Sequence, residues 1–125
     1  YETVGCPIAI DDLQLPVAAP HPGLAADIEI VGLAPSSNLR VGEYPASISA
    51  LSDQGDLEFI AERIFGGTDE RAMARARHGN AVMLTCRPYA GGGEVVTIGT
   101  TDWVFGLAED PAVGRVTANV LDRLR

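Results

Sequence analysis

Lysine is missing from this chain: all nine basic residues are arginine. A Schiff-base lysine and a phosphate-loop lysine are thereby excluded from it. Histidine is scarce. His21 and His78 lie far apart, with no HxxxH or HxH spacing. The two cysteines, Cys6 and Cys86, form no CxxC pair. Such a set does not suit a self-contained zinc or two-histidine iron site. It does not suit a Ser-His-Asp or Cys-His catalytic set either, and no GxSxG occurs. A disulfide between Cys6 and Cys86 stays open, with buried thiols the expectation. No apolar run approaches the roughly 18 residues of a membrane span. No charged start followed by an apolar stretch marks a signal peptide. Positive charge is also in deficit, and the formal net charge is −8. A negative field repels phosphate backbones. The expectation is a cytoplasmic protein with no nucleic-acid and no membrane partner. The sequence opens on Tyr1 rather than Met, and a functional unit longer than these residues is expected.

What is present reads as a globular α/β domain, with hydrophobic residues at 46%. Residues 1–26 hold Pro7, Pro16, Pro20 and Pro22, which disfavour a long helix or a central strand. An extended connector is expected there. Residues 27–33, DIEIVGL, set Ile28 and Ile30 against Glu29 in strand alternation. Residues 34–55 read as a long loop. Asp56 opens a helix whose apolar stripe is Leu57, Ile60 and Ile64, stopped by Gly66 and Gly67. Thr68 is the expected cap of a second short helix. Asp69 and Glu70 fall in its first turn, Arg75, Arg77 and His78 in its last, and Gly79 just beyond.

Residues 80–86 and 94–98 are apolar runs of strand length, and RPYAGGG between them reads as a hairpin loop. The glycines link strand to strand, and no Lys follows, so a phosphate cradle is disfavoured. Asp110 caps the last helix, with Pro111 at its first position. Val113, Val116, Val120 and Leu124 form its apolar stripe, and Arg115, Asp122 and Arg123 are expected to face water. The expected fold is therefore α/β. Strands 27–33, 81–86 and 94–98 share one sheet, helices 56–65 and 110–124 cover it, and the 125 residues form a single lobe.

The candidate chemistry is sparse. Thr100-Thr101-Asp102-Trp103 follows an apolar strand, where open α/β sheets place ligands. Asp102 can orient a substrate there, and Trp103 can wall its pocket. The alternative is that Asp102 bonds local backbone N–H groups and Trp103 fills the core.

The closing stretch HGNAVMLTC, GGGEVVTIGTTDW and DPAVGRVTANVLDRLR resembles the C-terminal region of the N,N-dimethylformamidase large (beta) subunit family. The resemblance lies in Gly92-Gly93, in Gly99-Thr100-Thr101-Asp102-Trp103 and in Asn119-Val120-Leu121-Asp122-Arg123. Tyr1-Glu2 is similar to that family's Gly-x-Glu-x-Asp stretch, with Val4 where the Asp would stand. The resemblance implies the C-terminal part of a class I glutamine-amidotransferase-like lobe. It also implies hydrolysis of a formamide-type C–N bond. The mononuclear iron it implies would be held by two tyrosines and a glutamate in polypeptide before Tyr1, and no cofactor is assigned to this chain. Glu2 matches a carboxylate near that iron, which would take a proton from bound water. The partners implied are the remainder of the same protein or other subunits of an oligomer. The second reading is a non-catalytic lobe of a glutamine-amidotransferase-like protein, binding a small molecule or docking on subunits. A related resemblance is to the sugar-utilisation branch of those proteins.

Overall fold

A computed structural model describes residues 3–44 and 55–125. The chain divides into two units, residues 1–34 with 81–125, and residues 35–80. The described residues combine two small sheets with helices, an α/β content.

The first unit begins with a hairpin. Strand β1 (Ile8–Ile10) pairs antiparallel with β2 (Pro16–Ala18), Ile8 opposite Ala18 and Ile10 opposite Pro16. The connector expected over residues 1–26 is thus partly folded. Its prolines do not prevent this. Pro7 precedes β1 and Pro16 is the first residue of β2, a position that needs no donor. Asp11 makes the turn. Its Oδ1 accepts the backbone N–H groups of Leu13 at 2.9 Å and Leu15 at 2.8 Å, and Gln14 takes a left-handed φ of 63°.

Strand β3 (Glu29–Ser37), β4 (His78–Cys86) and β5 (Val95–Thr97) form a three-stranded sheet in that order. β4 and β5 are antiparallel, with Thr85 opposite Val96 and Cys86 opposite Val95. The hairpin expected around Gly91-Gly92-Gly93 is present, its loop closed by Gly92 N–H donating to the Tyr89 carbonyl at 2.9 Å. Strand alternation gives this sheet two different faces. Val82 and Leu84 point to one side, where they bury with Cys6 and gather Ile8, Ala18, Leu24, Ile28, Ile30 and Cys86. Val31, Met83, Thr85 and Val96 meet instead on the side of the last helix. Cys6 and Cys86 both remain thiols.

Val4 lies beside β4. Val4 N–H donates to the Gly99 carbonyl at 2.8 Å, and the Val4 carbonyl accepts from Val82 N–H at 2.9 Å. Gly99 is buried with φ 79°, and a Cβ there would collide with the Val82 carbonyl.

Helix α3 (Trp103–Glu109) and helix α4 (Pro111–Arg123) finish this unit. The cap expected at Asp110 is observed, with Oδ1 accepting Ala112 N–H at 2.8 Å. Helix α3 was not anticipated, since its seven residues hold a glycine at the centre. That glycine has a packing reason: a Cβ on Gly106 would lie 3.0 Å from Val113 of α4. The half-buried face of α4 carries Val113, Val116, Thr117 and Val120, whereas Leu124 is 46% exposed.

In the second unit, helix α1 (Asp56–Phe65) packs on helix α2 (Glu70–Arg77). Leu57, Ala61, Ala72, Met73 and Ala76 form the core, with Ile60 and Phe65 at its margin. Three alanines let the two helices approach closely. The stripe turns one position from the expected one, and Ile64 is 64% exposed. The cap of α2 is Asp69 rather than Thr68: its Oδ1 accepts Arg71 N–H at 2.9 Å and Ala72 N–H at 3.0 Å. His78 is the C-cap of α2, in extended conformation, and Gly79 follows it in the strand rather than ending the helix as a left-handed cap. The two open β4 directly, and Asn38 satisfies the helix end, donating from Nδ2 to the Ala76 carbonyl and from its backbone N–H to the Arg77 carbonyl. β3 accordingly runs on to Ser37, four residues into the expected loop. Residues 45–54 of that loop lie outside the described residues.

Replacing Gly99 by alanine adds a left-handed backbone penalty and a steric collision with Val82. The expected loss is at least about 2 kcal/mol of unfolding free energy, read by urea denaturation. A loss below 0.5 kcal/mol, roughly the Gly-to-Ala cost of an unconstrained site, would contradict this account.

Candidate ligand-binding site

The two sheet faces set where a site can form. The face with Val82 and Leu84 is closed by the β1–β2 hairpin. The opposite face is covered by α4, and a pocket of about 250 Å³ remains between them. Its apolar walls are Val31, Met83 and Val96 from the strands and Val116 and Val120 from the helix. Thr85, Asn119 and Arg123 bring polar groups to it. Apolar walls with a few converging polar groups are the ordinary make-up of a small-molecule site.

A carboxylate fixes two of these polar groups, Thr85 and Arg123. Glu94 stands immediately before β5. Its Oε1 accepts from Thr85 Oγ1 at 2.7 Å and from Arg123 Nη2 at 2.6 Å, and its Oε2 accepts from Arg123 Nε at 2.9 Å. The Arg123 fork is bidentate, the geometry in which guanidinium and carboxylate bind best. Arg87 adds a more distant charge, 3.9 Å from Oε2. The Glu94 side chain is 11% exposed and that of Arg123 57%. The Arg123 hydrogen bonds and then that of Thr85 hold the Glu94 carboxyl down to about 2, against an ordinary 4.5. Arg123 is pushed further up by the same contact.

These shifts define the chemistry. A carboxyl held near 2 is ionised throughout the neutral range and has little affinity for a proton, so Glu94 is a poor general acid or base there. It serves as a clamp between β4, β5 and α4. Glu94 engages Nε and one terminal nitrogen of Arg123. Asn119 and Arg123 both line the pocket, and both side-chain types carry N–H donors that suit a ligand acceptor.

Of the residues singled out from the sequence, Asp102 and Trp103 lie elsewhere. Glu2 is outside the described residues. Trp103 is half-buried at the start of α3, and its Nε1 donates to Thr117 Oγ1 at 2.9 Å. Thr117 Oγ1 in turn donates to the Val113 carbonyl at 2.8 Å. The indole thus ties α3 to α4. Asp102 N–H donates to Thr100 Oγ1 at 3.1 Å, and the Asp102 side chain makes no capping bond to α3. Neither Asp102 nor Trp103 lines the pocket under α4. The ligand-placement rule for open parallel sheets does not extend to them, because β5 runs antiparallel to β4.

Thr85, Glu94 and Asn119 were not anticipated, and Arg123 was assigned to solvent. The available signal was Glu94 itself, a lone acid abutting an apolar strand. Its partner lies 29 residues away in sequence, and only the docking of α4 brings them together. Among the described residues, no group of three or more His, Cys, Asp or Glu could hold a metal ion.

Glu94 gives a pH signature with a definite sign. Its folded-state value of about 2 lies below the ordinary 4.5. The unfolded chain thus binds more protons between those values. The stabilisation is complete above about pH 4.5 and fades as the pH falls toward 2. At neutral pH, Glu94→Gln is expected to melt several degrees below the native chain. The two melting temperatures should converge toward pH 2, and calorimetry at stepped pH measures the difference. A gap independent of pH would refute the clamp. No family model, no curated protein and no solved structure matches this chain, and the dimethylformamidase-like resemblance rests on the residues quoted for it.

Proposed function

We propose that the unit of residues 1–34 and 81–125 is a non-catalytic small-molecule-binding lobe. Its ligand is a compact, largely apolar carbonyl compound held in the pocket under α4. The observation that supports this reading is the meeting of five apolar walls with the Asn119 and Arg123 donors, beside a carboxylate fixed in its charged form. Apolar contact favours a ligand with alkyl groups. The donors favour one acceptor on it, and the oriented guanidinium lowers the ordering cost of meeting that acceptor. The resemblance supplies a substrate class that fits these demands, formamide-type amides, with two small alkyl groups and one carbonyl oxygen. In this reading the bond-breaking chemistry belongs to other polypeptide, the remainder of a larger amidohydrolase or a partner subunit.

The test is a titration of the whole chain, carrying labelled methyl groups, with N,N-dimethylformamide and N,N-dimethylacetamide. Saturable shifts are expected at Val31, Met83, Val96, Val116 and Val120. Val116→Phe fills the pocket and should weaken binding by about tenfold or more, a loss of roughly 1.4 kcal/mol, while circular dichroism stays native. Shifts that do not saturate, or that fall outside the pocket, would overturn the assignment. Hydrolysis of either amide by this chain alone would overturn its non-catalytic part.

A further inference from the structure

A second concavity of about 660 Å³ lies between β2 and β3. Three observations define it. First, the order β3-β4-β5 leaves β3 at the rim of its sheet, and the order β1-β2 leaves β2 at the rim of the other, among the described residues. Second, every residue from Ile28 to Leu33 lines the groove. Successive strand residues point to opposite faces, so a groove touched by all six runs along the backbone edge rather than over one face. Third, apolar side chains stand exposed on both banks: Leu15 at 54% and Val17 at 37% beside β2, Val31 at 57% and Leu33 at 44% on β3.

An unpaired strand edge presents alternate N–H and C=O groups, and it recruits another strand unless it is blunted. The usual blunting devices are thin here. No lysine exists in the chain, and no basic residue lines the groove. Pro35, which lacks an N–H, interrupts the donor row of β3 only beyond Leu33. The charges that do line it are Asp11 and Glu29.

We infer that this groove receives an extended segment of a partner protein by strand addition along β3. The segment has apolar side chains at alternate positions and carries arginine or lysine. Main-chain bonds to β3 give the attachment, and the apolar banks read alternate side chains. The acidic rim selects the basic charge and works against a second copy of this chain, whose net charge is −8. Pairing can extend along residues 28–33 and stops before Pro35. The groove shares Val31 with the pocket under α4 but does not rest on the ligand reading, since it arises from the backbone edge.

The experiment pans a random heptapeptide library on the whole chain and synthesises the best binder. Enriched peptides should alternate apolar residues and carry arginine or lysine. Methylation of alternate backbone nitrogens of that peptide should weaken binding at least about tenfold, and methylation of the intervening ones should leave it nearly unchanged. The peptide should slow amide hydrogen exchange within residues 28–33. Glu29→Gln should weaken binding about threefold at low salt, with a shallower salt dependence. No enrichment, acidic or non-alternating winners, equal tolerance of methylation at every nitrogen, or protection confined to the pocket under α4 would each overturn the inference.

Discussion

Three elements of the first unit meet at one carboxylate. Glu94, at the head of β5, holds Thr85 of β4 and Arg123 in the last turn of α4. The helix could lie on the apolar sheet face in many ways if hydrophobic contact were the sole guide, because such contact is non-directional. The bidentate pair fixes one of them. With the C-terminal end of α4 anchored over β5, Val116 and Val120 stand above Met83 and Val96 with a gap between. The pocket is thus a consequence of where the ion pair pins the helix.

The clamp also decides what the neighbouring groups can do. Placing charges together at a site often marks catalysis, but the direction of the shift matters. A carboxyl driven up by burial is a candidate acid. Glu94 is driven the other way by its donors, which makes it a permanent anion and Arg123 a held cation. Such a pair orients a ligand well and exchanges protons poorly. Trp103 has a comparable structural role at the other end of the helix pair, where its N–H reaches Thr117 and joins α3 to α4.

The two faces of the three-stranded sheet divide the labour. One is closed against the β1–β2 hairpin and contributes the dense core around Val82. The other accommodates α4 and keeps room beneath it. Along the rim, β3 is left with its edge toward the β2–β3 groove. The second unit is simpler, a pair of capped helices joined through small side chains. Its polar links join the segment before α1 to the end of α2. Glu43, for example, accepts from the Arg40 backbone and pairs with Arg77 at 2.7 Å, and the same contacts lower its pKa.

Much of the local structure was legible in the sequence, because local chemistry writes it. The helix over 56–65, the Asp110 cap with Pro111, the three strands of the sheet and the glycine hairpin loop all follow from periodicity, capping and turn residues. The β1–β2 hairpin did not, since its strands have three residues each and its prolines read as breakers until their positions at the strand ends are known. Helix α3 was hidden by Gly106, whose purpose is visible only against Val113. The site was least legible. Thr85 and Glu94 carry no site motif, Asn119 and Arg123 enter only through the closing stretch of the resemblance, and each reads as an ordinary polar residue in its own element. The sequence alone determined the helices over 56–65 and after Asp110, the three strands of the larger sheet, and which catalytic and metal chemistries these residue types disfavour. Only the tertiary structure decided which face of the sheet stays open and which charges meet. The reason is that ion pairs and pockets form between residues far apart along the chain, where no spacing rule reaches.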